Sequence, residues 1–360
     1  MQVRENPFAG IQLPTRRNLT SRLSLYHFPL LSLIFVTHNG SLQDVVRTSI
    51  LSREWRYKWV TIPNIVFDFQ LPFDLQGTLK FKTTVYQVLL LHTGPTVKFT
   101  LGISGFSSCP DINHWILFLS KNNVQEFTLT ISLGTAHVLP SHLFTFLQLR
   151  RLHLSNCVLE PPPTFKGLSR LVGLELVNVT VVPERFAWLI SNSPQLEQLE
   201  CVGITEFDYL EIDCPRLKIF TFCGIFKSIC FKHTPLEEIS LRCLFRLLNY
   251  SHEEGKTSDV IMFSNCQPVI EKLELDGKLL ELLGVDNVLK RLPCILGHLK
   301  FMDLSSVRFG KIEEISCALC LIRSSPNLQE LKILLRKCLH LSLECSRKWT
   351  FSSWSFSRFC

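Results

Sequence analysis

One pattern recurs along most of the chain: two apolar residues three positions apart, then a third two positions on. It reads Val124-x-x-Phe127-x-Leu129, Leu149-x-x-Leu152-x-Leu154, Leu171-x-x-Leu174-x-Leu176 and Leu196-x-x-Leu199-x-Cys201. It continues as Leu217-x-x-Phe220-x-Phe222, Leu236-x-x-Ile239-x-Leu241, Ile270-x-x-Leu273-x-Leu275, Leu299-x-x-Met302-x-Leu304 and Leu328-x-x-Leu331-x-Ile333. Successive units start 25, 22, 25, 21, 19, 34, 29 and 29 residues apart. The step of 34 holds the polar stretch 249–259 (NYSHEEGKTSD), which reads as a surface insertion.

A repeat of this kind limits the fold severely. The alternation in L-x-L turns one side of a short strand inward, and stacked units set such strands side by side in a parallel sheet. The steps lie in or near the 20–29 residues of leucine-rich repeats. Helix-like stretches lie between strands at 111–120, 183–191 and 312–323. The pairs Ser193-Pro194, Cys214-Pro215 and Ser325-Pro326 end the outer segment, since proline stops a helix and presets an extended path. The expected fold is therefore α/β, a curved parallel sheet with helices on its outer face. It should run over 96–335, after a connector at 61–95, with strands centred near 127, 152, 174, 199, 220, 239, 273, 302 and 331. The repeats lack the asparagine and glycine-proline signature typical of secreted relatives of this architecture.

Charge sharpens the reading. The net charge of +7 arises wholly at the two ends, with +3 in residues 1–22 and +4 in 336–360. The body is neutral, whereas a nucleic-acid reader concentrates basic charge on its folded face. No nucleic-acid partner is expected. The longest apolar stretch, 23–36, has 14 residues and includes a proline, too short for a membrane helix. Fourteen cysteines and sequons at Asn18, Asn39, Asn178 and Asn249 are compatible with secretion. However, the apolar stretch 23–36 begins behind a long polar stretch with no clean small-residue cleavage site after it, and Cys157, Cys201, Cys243, Cys317 and Cys320 sit inside apolar patterns as buried thiols do. An intracellular chain, in nucleus or cytoplasm, is the expectation.

A second segment, 41–60 (SLQDVVRTSILSREWRYKWV), is apolar on one side and basic on the other. It resembles the second half of the plant F-box motif, with its V-R-T-S-x-L-S-x-x-W-R-x-x-W run. The body resembles the plant F-box/leucine-rich-repeat proteins that end in an FBD domain, through WILFLSK at 115–121, LPSHLFTFLQLRRLHL at 139–154, SPQLEQL at 193–199 and ISCALCLIRSSPNLQEL at 315–331. The resemblance implies a substrate-recognition subunit of an SCF-type ubiquitin ligase. In such proteins the F-box holds a Skp-family adaptor joined to a cullin, while the repeats capture a target protein. Carried over by position, the adaptor-facing residues are Leu42, Val46, Ile50, Leu51 and Trp55. Residues 1–40 show no counterpart of the first F-box helix. Residues 336–360, where the family continues into its FBD domain, read as a basic tail rich in Ser, Phe and Trp. Residues 1–22 and 340–360 are expected to pack poorly.

The search for chemistry returns nothing. Gly255-Lys256-Thr257 resembles the end of a phosphate loop, but Tyr250 stands where the first glycine is needed. Cys317-x-x-Cys320 is a single pair in an apolar helix, whereas structural zinc takes four ligands. His137 and His142 flank Leu139-Pro140, which breaks a helix. No enzyme activity, cofactor or metal is implied. Binding would rest on the residue between the two inward positions of each strand: Thr128, His153, Glu175, Glu200, Thr221, Ser240, Glu274, Asp303 and Lys332. Of these, His153, Glu175, Glu200, Glu274, Asp303 and Lys332 are the candidate target-binding residues of the concave face, a mildly acidic row. Two readings stay open beside the receptor: a leucine-rich-repeat interaction protein without adaptor binding, and an enzyme whose site only the fold assembles.

Overall fold

The computed structural model describes residues 58–69, 75–104, 109–132, 134–204, 206–243, 261–264, 269–284, 296–335 and 347–352. Within them one sheet of twelve strands dominates. Its strands are β1 (Asn64–Phe69), β2 (Lys98–Ile103), β3 (Glu126–Ile131), β4 (Arg151–Ser155), β5 (Gly173–Val177), β6 (Gln198–Val202), β7 (Ile219–Gly224), β8 (Glu238–Cys243), β9 (Lys272–Asp276), β10 (Phe301–Val307), β11 (Glu330–Leu335) and β12 (Arg347–Ser352). They lie side by side in chain order. Strands β1 to β11 pair in parallel, and β12 joins antiparallel. Every expected strand centre falls inside one of β3 to β11.

The periodic residues explain the stacking. In strand after strand the L-x-L positions are buried and their neighbours are not, as in Phe127 and Leu129 or Met302 and Leu304. Just before the strands, one carbonyl of each unit accepts the amides of two consecutive residues of the next. Gln125 O takes Arg150 N and Arg151 N at 2.7 and 3.0 Å, Arg150 O takes Val172 N and Gly173 N, and the series runs on to Lys300 O with Gln329 N and Glu330 N. The Ser-Pro turns close in the same way each time. Ser193 Oγ and Ser325 Oγ donate back to the helix carbonyls of Leu189 and Leu321 at 2.8 and 2.7 Å, which satisfies a buried hydroxyl and ends the helix.

The sheet starts earlier than the repeat pattern suggested. The stretch 61–95, expected as a connector, contains β1 and helix α1 (Leu75–Leu91), so it is already part of the stack. Here the frame is written with a single leucine: Ile62, Ile65 and Phe67 form one unit, and Thr96, Phe99 and Leu101 the next. Thr96 is buried, with its hydroxyl 3.5 Å from His92 Nδ1.

The outer layer also differs in part. Helices α2 (Asp111–Leu119), α3 (Pro183–Ser191), α4 (Gly277–Gly284) and α5 (Ile312–Arg323) back the sheet, and three of them are the expected ones. Elsewhere the outer segments are strands. Residues 137–138, 157–159 and 180–181 form one small parallel sheet, and 207–213, 226–232 and 261–264 form another. For 207–213 and 226–232, the steps of 21 and 19 residues are the cause. An extended chain advances ~3.3 Å per residue against 1.5 Å in a helix, so a short unit spans its outer side only when extended. Asn156, Asn178 and Gly203 turn the chain out of β4, β5 and β6 in left-handed conformations, with φ of 56°, 51° and 63°.

Trp115 on α2 is 1% exposed, packed edge-on to Phe81 and Tyr86, and its indole nitrogen has no hydrogen-bond acceptor among the described residues. An unpaired buried donor costs ~1–3 kcal/mol. Trp115→Phe is therefore expected to stay within about 1 kcal/mol of the parent in denaturant melts, its lost packing offset by removal of that donor. Trp115→Ala should cost about 3–5 kcal/mol. A phenylalanine variant as unstable as the alanine one would show that the indole nitrogen is satisfied in solution.

Candidate functional site

The pleat that buries one side of the main sheet leaves the other side uncovered among the described residues. On this open face one residue per strand forms a continuous row: Val66, Thr100, Thr128, His153, Glu175, Glu200, Thr221, Ser240, Glu274, Asp303 and Lys332. Each is the direct register partner of the next. The six residues selected from sequence as target-binding therefore lie in a single line across the array. The adaptor-facing candidates Leu42, Val46, Ile50, Leu51 and Trp55 lie outside the described residues, as does the loop with Gly255-Lys256-Thr257.

The row is electrostatically uneven. Strand spacing of ~4.8 Å sets Glu175 beside Glu200. His153 Nδ1 lies 2.8 Å from Glu175 Oε2, and among the described residues no basic side chain forms an ion pair with Glu200. Partial burial, and then the neighbouring Glu175, hold the Glu200 carboxyl above the usual range, with His153 opposing them. Three strands on, Glu274 behaves oppositely. Burial pushes its carboxyl up, but Lys272 at 2.9 Å, the Ser240 hydroxyl at 3.0 Å and Arg242 at 3.7 Å outweigh it and hold the group below the usual range. Between these acids lies a shallow depression of about 260 Å³, floored by Thr221 and Ser240 and rimmed by Glu200, Cys223, Arg242 and Glu274. Its small hydroxyl side chains leave room for a partner's side chain, with hydrogen-bonding groups at both sides. Lys332, near the far end, is tied to Glu330 at 2.9 Å.

The remaining candidates are structural in their surroundings. Cys157, Cys201, Cys243, Cys317 and Cys320 are free and buried. Burial pushes the thiols of Cys157, Cys243 and Cys317 up to about 12, so they stay protonated at neutral pH. His137 Nε2 lies 2.9 Å from the Asn113 side chain, and His142 sits in the short turn Ser141–Thr145. Among the described residues no three His, Cys, Asp or Glu side chains gather to hold a metal ion, and no helix is long and apolar enough to cross a membrane.

Sequence reasoning overlooked two parts of this arrangement. One is Cys157, which completes Leu149-x-x-Leu152-x-Leu154-x-x-Cys157-x-Leu159, the longer form of the repeat in which asparagine or cysteine follows the strand. Its thiol donates to Ser155 O at 3.3 Å, so one unit does carry the turn residue of the repeat. The other is Arg242, which stands one row beside the selected line and changes the sign of the charge there.

Comparison with known proteins agrees with this architecture. Residues 112–333 match the family model described as FBD-associated F-box protein At5g56370, LRR repeats. The F-box/FBD/LRR-repeat protein At1g13570 of Arabidopsis thaliana is 37% identical over 301 residues, covering 81% of this chain and 71% of that protein. The probable FBD-associated F-box protein At1g32375 of the same plant is 26% identical over 322 residues, covering 81% and 73%. A repeat match over most of the array, together with a relative this similar over most of both lengths, assigns the family. The chain belongs to the plant F-box/FBD/leucine-rich-repeat family.

Proposed function

We propose that this chain is a substrate-recognition subunit of an SCF-type ubiquitin ligase and performs no chemistry itself. Residues 41–60 bind a Skp-family adaptor linked to a cullin, and the open face of the repeats captures the target protein. The reading places the protein in the nucleus or cytoplasm, where such ligases work. The observation that carries it is the pairing of a repeat array belonging to a family named for its F-box with the V-R-T-S-x-L-S-x-x-W-R-x-x-W run before it. A second reading, an interaction module without adaptor binding, is favoured by residues 1–40, which carry no counterpart of the leading F-box helix.

Affinity purification of the tagged full chain from plant cells, with proteasome activity blocked, separates the two. Adaptor and cullin in the eluate support the receptor; their absence beside a retained target supports the module. Target capture should depend on the open face. Reversing Glu175 and Glu200 to lysine together is expected to leave the melting temperature close to the parent's, since exposed substitutions usually stay within ~0.5 kcal/mol. The same variant should lose the target while keeping adaptor and cullin. An unchanged set of partners would remove these two residues from the binding surface.

A further inference from the structure

The C-terminal edge of the main sheet is a feature that the receptor reading does not use. On β10 the core residues Met302 and Leu304 are 2% and 0% exposed, whereas Leu331, Ile333 and Leu335 on β11 are only half-buried. A parallel stack that ends at β11 leaves a row of unpaired backbone amides and carbonyls, a template for another strand. Here residues 347–352 (RKWTFS) take that row. Although 340–360 was expected to pack poorly, β12 pairs with β11 over all six residues, from Glu330 opposite Ser352 to Leu335 opposite Arg347.

Direction and phase both matter. Each parallel step in the sheet needs a long return over the outer layer, while an antiparallel strand only needs the chain to reverse, and 336–346 supplies that length. In the observed register Trp349 stands opposite Ile333 and Phe351 opposite Leu331, while Lys348 and Thr350 stand opposite Leu334 and Lys332. Trp349 and Phe351 therefore hold the register positions opposite Ile333 and Leu331 of β11. A slip by one residue would move both off those positions.

We propose that residues 347–352 are a self-supplied cap on this sheet edge, and that the partner they hold off is a second copy of the same chain. The β11 sequence ELKILL is self-complementary in the antiparallel sense. A two-fold axis through Ile333 sets Leu331 and Leu335 of one copy against Leu335 and Leu331 of the other, giving three apolar pairs on the core side of one continuous sheet. With the cap in place the edge is occupied and the chain stays single.

The test uses the full chain, a chain ending at Leu335, and a full chain carrying Trp349→Pro with Thr350→Pro. Adjacent strand amides point to opposite sides, so the double proline removes one directed at β11 whichever residue supplies it. Light scattering after gel filtration should find the parent monomeric and both variants dimeric at tens of micromolar. Hydrogen exchange of the β11 amides in the proline variant, diluted until it is monomeric, should be faster than in the parent by about tenfold or more. A peptide of residues 346–353 in excess should return the shortened chain to monomer. If the shortened chain fails to fold, the proline variant alone decides. Variants that stay monomeric, or β11 exchange that does not change, would overturn the proposal.

Discussion

Replacing Arg308 with alanine should destabilise the last units of the array by about 3 kcal/mol, the lower end of the range for removing one partner of a buried ion pair. Glu314 is 0% exposed at the start of α5. Its two oxygens accept from Arg308 Nε and from the Arg308 backbone amide, both at 2.7 Å. The same guanidinium donates to Glu281 on α4 at 2.7 Å, and Lys278 and Lys311 lie 2.8 and 3.2 Å from that carboxylate. Burial raises the Glu281 carboxyl, but these cations outweigh it and hold the group at about 2. The clasp leaves no spare volume: a Cβ on Gly277 would stand 2.4 Å from Ser306 O and 2.9 Å from Glu314 Oε2.

Arg308→Ala leaves the Glu314 carboxylate sealed in with only a backbone donor. Glu314→Gln should cost less, because Arg308 is 31% exposed and keeps Glu281. Stacked units are stabilised mainly by their neighbours, so the loss should be local. Native-state hydrogen exchange is expected to rise in 269–284 and 296–335 while β3 to β6 keep their protection. An Arg308→Ala chain within ~0.5 kcal/mol of the parent, or uniform loosening of the whole array, would show that the clasp does not hold these units together.

Much of this architecture is legible in the sequence, because burial in a stacked array imposes a period that local chemistry cannot hide. Each L-x-L became a strand, and the residue between its leucines reached the open face, since a period of two allows no other outcome. The parts that escaped did so for identifiable reasons. Thr96 occupies a leucine position with a bonded hydroxyl, and Ile62, Ile65 and Phe67 spell the first unit without leucine. The extended outer segments 207–213 and 226–232 are set by the short chain length between strands, which unit spacing encodes but motif letters do not. Strand β12 depends on a pairing edge that exists only once the array is built. The Arg308–Glu314 clasp left a faint trace: in IEEISCALCLIR, Glu314 shares the helix face of Cys317 and Leu321, a carboxylate at a core position that demands a buried partner. The open-face row could be named residue by residue, but the sign of its charge could not, because Arg242 and Lys272 enter from neighbouring rows.

The contact with the adaptor should show the largest change in affinity. An F-box presents a small helical bundle, so its interface draws apolar anchors from a leading segment and from the later helices. On the proposed receptor reading, Leu42, Val46, Ile50, Leu51 and Trp55 would supply the later set, while residues 1–40 offer at best Phe28-Pro29-Leu30-Leu31 for the leading one. A few buried anchors dominate most interfaces, and losing half of them is expected to cost several kcal/mol. Each ~1.4 kcal/mol is tenfold in affinity, so a nanomolar contact becomes micromolar or weaker. Titrating a purified Skp-type adaptor against the native chain should give that weak binding. Exchanging residues 1–40 for a complete leading helix from an intact family member should recover about a hundredfold or more. In the repaired chain, Trp55→Ala should remove the gain, since an aromatic anchor at the centre of an interface contributes ~2–4 kcal/mol on truncation. A native chain that already binds as tightly as the repaired one would mean that residues 23–38 supply the first helix in disguise. Tight binding that survives Trp55→Ala would instead place the adaptor on another part of the chain.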